Sequence, residues 1–485
     1  MLCLLGDDTP IDVTQPKAVA HHVFGQAVKL ISELENGQHI EHFQDEFATY
    51  WNQSGSLGRE IFSLLDPLNH RTRRIHAWIG VSRIYVGESS EDVSRWLRRQ
   101  FGDKPQYRET VTALFVQAGD PFLPTDYPRN SRDVHRILVA ANAERFLADQ
   151  LRVSPGVQVV VFGFRTQHGP AYAGVTLMVT APDKRRRRIG NRVGSGFRIN
   201  HAPPEILMGQ FLGTSAVRKS SVERVDHDWI HGRDHDDKQV VLKESVVAVF
   251  GCGSVGSFVA HQLALAGIGT LYLVDPQALA SANVGRHYLG AKYIGTSKAQ
   301  SLAKELQEHF PHLSIQGFRM GWEQFHRDQR DLFDSCSVVL SLMGDWNAEA
   351  QLNSVHLQSG RMRDFIYGWT EAYALAGHAV AIRNQGGCFA CQFDAQGNAQ
   401  HPLIRTTGDT RHQEPACGAL FQPYGPVELN ATVSLIADLT LRSLLKELTV
   451  STHRVWKGSS TRLAYYGDHG KLARWSISAL LRSTR

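Results

Sequence analysis

A doubly wound, mostly parallel α/β sheet, preceded by a smaller mixed α+β domain, is the fold the sequence predicts, on three observations. Apolar, β-branched-rich runs at Val246–Phe250, Leu271–Val274 and Val338–Leu342 read as strands buried on both faces. Segments of helical character alternate with them, at Ser254–Ala266, Ala299–His309 and Asn347–Leu357, and that alternation argues for a parallel sheet. At 485 residues the chain exceeds the roughly 250–300 residues at which single cores stop growing, so two or more domains are expected.

Composition narrows the class. A hydrophobic content of 42% and a charged content of 20% are those of an ordinary globular protein. No run of about 18 apolar residues occurs, so no membrane helix is expected. The opening Met-Leu-Cys-Leu-Leu-Gly-Asp-Asp lacks the layout of a secretory signal, which points to the cytoplasm. A net charge of +5 is modest and gives no reason to expect nucleic acid. The six cysteines are too few for a disulfide framework.

In chain order, residues 1–155 read as the mixed α+β domain. A helical stretch over 17–52 carries an apolar and aromatic stripe that ends in Phe43, Phe47, Tyr50 and Trp51, expected to pack in a core. Strands are expected at 75–87 and 112–117, and a helix over Asp133–Leu151. Residues 156–240 read as a β-rich linking region with strands Val157–Phe164 and Tyr172–Val179, then the basic run Lys184–Arg188, expected as a solvated loop.

Residues 241–450 hold the chemistry. After the strand Val246–Phe250 come Gly251, Gly253 and Gly256, a GxGxxG turn at the head of a helix. Such a turn brings backbone N–H groups up to a phosphate, and the helix dipole favours its charge. Asp275 ends the next strand, where a carboxylate can hold ribose hydroxyls. A tight structural turn, or a nicotinamide oxidoreductase, would show the same residues.

Beyond Asp275 the sequence is more specific: Asn283, Arg286, then Ile294-Gly295 and Lys298, with Asp345 after the strand Val338–Leu342. With these residues the chain resembles the adenylating enzymes that activate ubiquitin and its relatives, including the bacterial enzymes that act on sulfur-carrier proteins. The match runs over about residues 240–445. The resemblance implies a Rossmann-like adenylation domain in which Asn283, Arg286 and Lys298 contact the ATP phosphates and Asp345 holds Mg²⁺. It implies a homodimer as well, with an arginine upstream of the first strand, Arg224 or Arg233, reaching the partner's ATP. Positioning and charge neutralisation are what such a phosphoryl reaction requires.

Cysteines separate the possibilities within that family. Cys388 and Cys391 form a CxxC, half of a tetrahedral zinc site, but only Cys417 comes after them, so zinc is possible and doubtful. Cys417 lies in a Gly- and Pro-punctuated loop before the helix Val427–Leu445, where the related fused bacterial enzymes place their thioester-forming cysteine. The resemblance thus implies adenylation of a ubiquitin-like protein, thioester formation on Cys417 and transfer to a conjugating enzyme, in bacterial antiviral defence. The alternative is a sulfur-carrier adenylyltransferase with no cysteine step. Those relatives carry a conjugating-enzyme-like domain in front, but no cysteine lies between Cys3 and Cys252, so residues 1–155 are expected to serve docking instead. Residues 451–485 read as a basic C-terminal extension.

Overall fold

The computed structural model describes residues 9–36, 38, 40–54, 58–153, 157–178, 204–213, 216–359, 363–383, 387–394, 397–405, 409–413, 420–465 and 471–472. The chain divides into two compact units, residues 1–95 with 103–226, and residues 96–102 with 227–485.

The first unit is built on eight strands: β1 Glu60–Ser63, β2 Arg73–Ile79, β3 Arg83–Gly87, β4 Val111–Gln117, β5 Val157–Thr166, β6 Gly169–Met178, β7 Val217–Ser220 and β8 Val222–Arg224. They lie in the order β7-β6-β5-β4-β2-β3-β1-β8. The expected strand over 75–87 is a hairpin, because Gly80 turns the chain and its N–H donates to Arg83 O. The expected helix over Asp133–Leu151 is two helices, Ser131–Ala140 and Glu144–Val153. They break at Asn142, whose φ of 53° lies in the left-handed region that asparagine tolerates.

Two expectations about this half are corrected. β5 pairs in parallel with β4, Leu114 opposite Val160, so the strands after residue 156 complete the first sheet. The physical reason is burial: Gln158 to Phe164 are all buried, as only an inner strand can be. The stripe over 17–52 packs only at its end. Phe47 and Trp51 are buried, whereas the helix Pro16–Glu35 buries none of its residues and Phe24 is 73% exposed. The basic run Lys184–Arg188 lies outside the described residues.

The second unit follows the expected plan. β9 Val246–Phe250, β10 Thr270–Val274, β11 Ser314–Phe318, β12 Val338–Ser341 and β13 Asp364–Thr370 are parallel, in the order β11-β10-β9-β12-β13. β14 Ala376–Ile382 and an edge strand Thr452–Lys457 extend the sheet antiparallel. The expected C-terminal extension therefore starts with a strand of this sheet. Apolar side chains cover both faces, Leu263, Leu302 and Ile436 on one side and Phe325, Phe333 and Leu352 on the other. Strand order reverses between β9 and β12, and there a doubly wound sheet leaves a crevice at its carboxyl ends.

Candidate functional site

The glycine loop fills that crevice, and its glycines do different work. Gly251 has φ of 91°, and a Cβ there would lie 2.6 Å from Leu342 O. A Cβ on Gly256 would lie 1.8 Å from Gly251 O. Both are required by the turn and by the packing of the helix Ser254–Leu265 onto β9. Gly253, at the N-cap of that helix, would meet nothing within 4 Å. Its bare backbone faces open space at the positive end of the helix, where an anion is favoured.

Asp275 organises the loop from within. Its carboxylate is buried and accepts from Cys252 N at 2.8 Å and from Gln277 N at 2.8 Å. His287 adds a second latch. Leu289 N–H donates to His287 Nδ1 at 3.0 Å, so the proton sits on Nε2, which donates to Cys252 O at 2.7 Å. Burial holds His287 below the ordinary histidine range, so it stays in that neutral form. One histidine beside a known arginine carries no periodicity, which is why the sequence hid it.

The cations come next. Lys298 opens the helix Lys298–His309 and is buried, 6% exposed. Its ammonium donates to Gln277 Oε1 at 2.7 Å and makes no ion pair among the described residues. A buried charge with only an amide partner is costly unless an anion completes it. Arg286 stands with its guanidinium carbon 5.1 Å from the ring centre of Tyr424, whose hydroxyl is 2.6 Å from Ser254 Oγ at the head of the glycine-loop helix. Asn283 Oδ1 accepts from Ala280 N at 3.1 Å and closes the short helix Ser281–Arg286 that presents Arg286.

Of the two upstream arginines, Arg224 is 6% exposed and forms a forked pair with Asp226, Nε to Oδ2 at 2.8 Å and Nη2 to Oδ1 at 2.9 Å. Arg233 is exposed, with φ of 48°.

Asp345 ends the loop after β12, exposed, and caps the helix Trp346–Gln358 by accepting from Ala348 N at 3.1 Å. One turn on, Glu349 is buried, and its Oε1 accepts from Ser341 Oγ at 3.1 Å and from Gly344 N at 3.3 Å. Burial pushes its pKa up to about 7. Glu349 lines a cavity of about 460 Å³ that also touches Gly253 and Ser254 of the glycine loop.

Four of the six cysteines are described, all free. Burial pushes the Cys252 thiol well up and that of Cys336 up to about 12, so neither is a ready thiolate. Cys388 and Cys391 face each other with Sγ atoms 3.2 Å apart. Among the described residues no three His, Cys, Asp or Glu side chains gather as a metal ion requires. Cys417 lies outside the described residues.

Residues 231–466 match the ThiF family. The ATP-dependent ubiquitin transferase-like protein Cap2 of Escherichia coli (strain TW11681) is 23% identical over 461 residues, which span 88% of this chain and 76% of that protein. Cap2 of Vibrio cholerae serotype O1 is 22% identical over 465 residues, 85% of this chain and 73% of its own. The ubiquitin-like modifier-activating enzyme 5 of Arabidopsis thaliana is 25% identical over 229 residues, and the chain spans 48% of its length. Among solved structures, E. coli MccB with ATP aligns at 18% identity and a TM-score of 0.35, over 50% of this chain and 66% of that one, too loosely to add to the strand order.

Proposed function

From the premise that residues 231–466 are a ThiF family domain, we propose that this chain activates the C-terminal carboxylate of a ubiquitin-like protein with ATP. The carboxylate oxygen attacks the α-phosphorus, the bond to the β,γ-phosphates breaks, and pyrophosphate leaves with the electron pair. The observation that carries this reading is Lys298, a buried cation next to the glycine loop that makes no ion pair with a carboxylate among the described residues. Lys298 and Arg286 supply positive charge where the phosphates need it, the bare backbone at Gly253 supplies N–H donors, and Asp275 supplies the ribose contact. Mg²⁺, when bound, neutralises phosphate charge, and exposed Asp345 at the carboxyl end of β12 is the residue that would hold it.

The finer steps are those of the family. Cys417 attacks the acyl carbon of the mixed anhydride, its thiol proton is lost to solvent, AMP leaves, and the thioester is passed to a conjugating enzyme. The resemblance to the fused bacterial enzymes is what points to an antiviral setting and to a homodimer. The reading puts the reaction in the cytoplasm, where ATP is present and thiols stay reduced.

Two measurements test it. ATP–pyrophosphate exchange with a β-grasp protein ending in an exposed glycine should require Lys298. A thiol-sensitive, ATP-dependent adduct on a non-reducing gel should vanish in Cys417→Ala while exchange persists. Exchange without an adduct would move the chain to the sulfur-carrier adenylyltransferases. NAD binding without exchange would sink the proposal.

A further inference from the structure

The cavity beside the glycine loop contains a charge that adenylation does not use. Glu349 is 5% exposed, and its partners are the Ser341 hydroxyl and the backbone of Gly344 and Met343, with no cation among the described residues. Four aromatic rings, Trp346, Trp369, Phe389 and Phe393, border the same space together with Tyr424, and no lysine or arginine lines it among the described residues. The rings pack into one cluster, with Trp346 and Phe393 centred 4.8 Å apart and Trp369 and Phe393 5.2 Å apart, so the wall is preformed.

The chemistry of the space decides what it accepts. Beside Glu349, a phosphate or carboxylate meets a buried acid and no basic lining residue among the described ones. A purely apolar group leaves the carboxyl buried without a charge partner, which is costly. A divalent ion wants several oxygen ligands, and no cluster of three acids or histidines forms around Glu349 among the described residues. A lysine or arginine side chain satisfies everything at once: its stem lies against the rings, its cation interacts with their faces, and its N–H groups meet the carboxylate.

We propose that this cavity is a subsite for a positively charged side chain near the C-terminus of the acyl substrate, paired with Glu349 among Trp346, Trp369, Phe389 and Phe393. The subsite rests on the reading of the chain as a carboxylate-activating enzyme, since only then does an acyl tail run past Gly253 and Ser254 into this space.

Peptides ending in glycine, with arginine or neutral citrulline at each of the three preceding positions in turn, test it. Their dissociation constants for the full chain are measured by calorimetry at pH 8 without ATP. At one position at least, arginine should bind ten-fold or more tighter than citrulline, and Glu349→Gln should shrink that ratio below two-fold. Wild-type protein gives a check that needs no variant: the preference should fall on going from pH 8 to pH 6, as Glu349 gains its proton. The other titratable groups acting on Glu349 are Asp345 and Tyr367, and burial keeps the Tyr367 phenol neutral throughout. Equal binding at all three positions, or a preference that survives both Glu349→Gln and the acid shift, overturns the subsite. Pyrophosphate exchange on the same peptides separates the two readings. A preference without exchange would leave the subsite standing and remove the activation reading; exchange without a preference would do the reverse.

Discussion

Two buried charges attach to the glycine loop from opposite sides, and they differ in sign. Lys298 reaches it through Gln277 and Asp275, whose carboxylate accepts from Cys252 N. Glu349 reaches it through Gly344, in the turn whose Leu342 carbonyl abuts Gly251. Each charge is held by neutral groups, so each is half of an interaction the described chain alone does not complete. A structural ion pair would have brought such charges together; here the loop keeps them apart. The arrangement suits a ligand that is negative at one end and positive at the other, such as a nucleotide phosphate next to a basic peptide tail.

The largest effect separates the loop's own architecture from its ligands. Gly256→Ala forces a methyl onto the Gly251 carbonyl and should cost about 3 kcal/mol or more, read as loss of cooperative melting in circular dichroism. Gly253→Ala adds a methyl to open space and should melt as wild type, yet weaken ATP binding about ten-fold or more. Wild-type ATP affinity in Gly253→Ala would mean that the phosphates lie elsewhere.

Next comes the positive side. Lys298→Met should lower pyrophosphate exchange by about 10²–10³-fold. The same change removes a buried ammonium without an ion pair, so the protein should melt no lower than wild type, and somewhat higher if the desolvation cost dominates. A fall in both activity and stability would make Lys298 a structural residue.

The negative side is read through pH. Glu349 titrates at about 7 in the folded chain against an ordinary value of 4.5, so the folded state holds its proton longer than the unfolded one does. Stability from this group is complete below pH 4.5 and is lost as pH rises through 7, by about 3 kcal/mol. Glu349→Gln should therefore be more stable than wild type at pH 8 and equal to it near pH 4, in urea titrations at each pH. A constant offset at both pH values would show that the carboxyl is not buried as a lone acid.

The two charges were not equally legible. Lys298 follows Asn283, Arg286 and Ile294-Gly295 in the order that carries the family resemblance, and strands such as β9 and β12 announce themselves by unbroken apolar runs, so the resemblance points to the positive side and the apolar runs to the sheet. Glu349 lies in a helix that reads as polar, and its buried face is Glu349, Leu352, Asn353 and His356. That spacing is helical, but three of the four are polar, and hydrophobic patterning passes over them. Their partners appear only in three dimensions: Asn353 Oδ1 accepts from Phe389 N at 3.0 Å, and His356 stacks on Phe365 at 4.0 Å. The hairpin at Gly80 and the break at Asn142 leave no signal in the sequence for a related reason, since such short turns do not interrupt composition.

The smallest expected effect joins the two sides. Tyr424 borders the Glu349 cavity, its ring lies near Arg286, and its hydroxyl meets Ser254 Oγ. Tyr424→Phe deletes one neutral hydrogen bond and should cost about 1 kcal/mol of stability, with little change in KM for ATP, because the ring still faces Arg286. Tyr424→Leu removes the ring as well, frees the guanidinium, and should raise KM for ATP several-fold while costing little more stability. If both substitutions raise KM equally, the hydroxyl and its bond to Ser254 position the loop for the phosphates. If neither does, Arg286 is held by something other than Tyr424, and the link between the positive and negative sides of the loop runs through backbone alone.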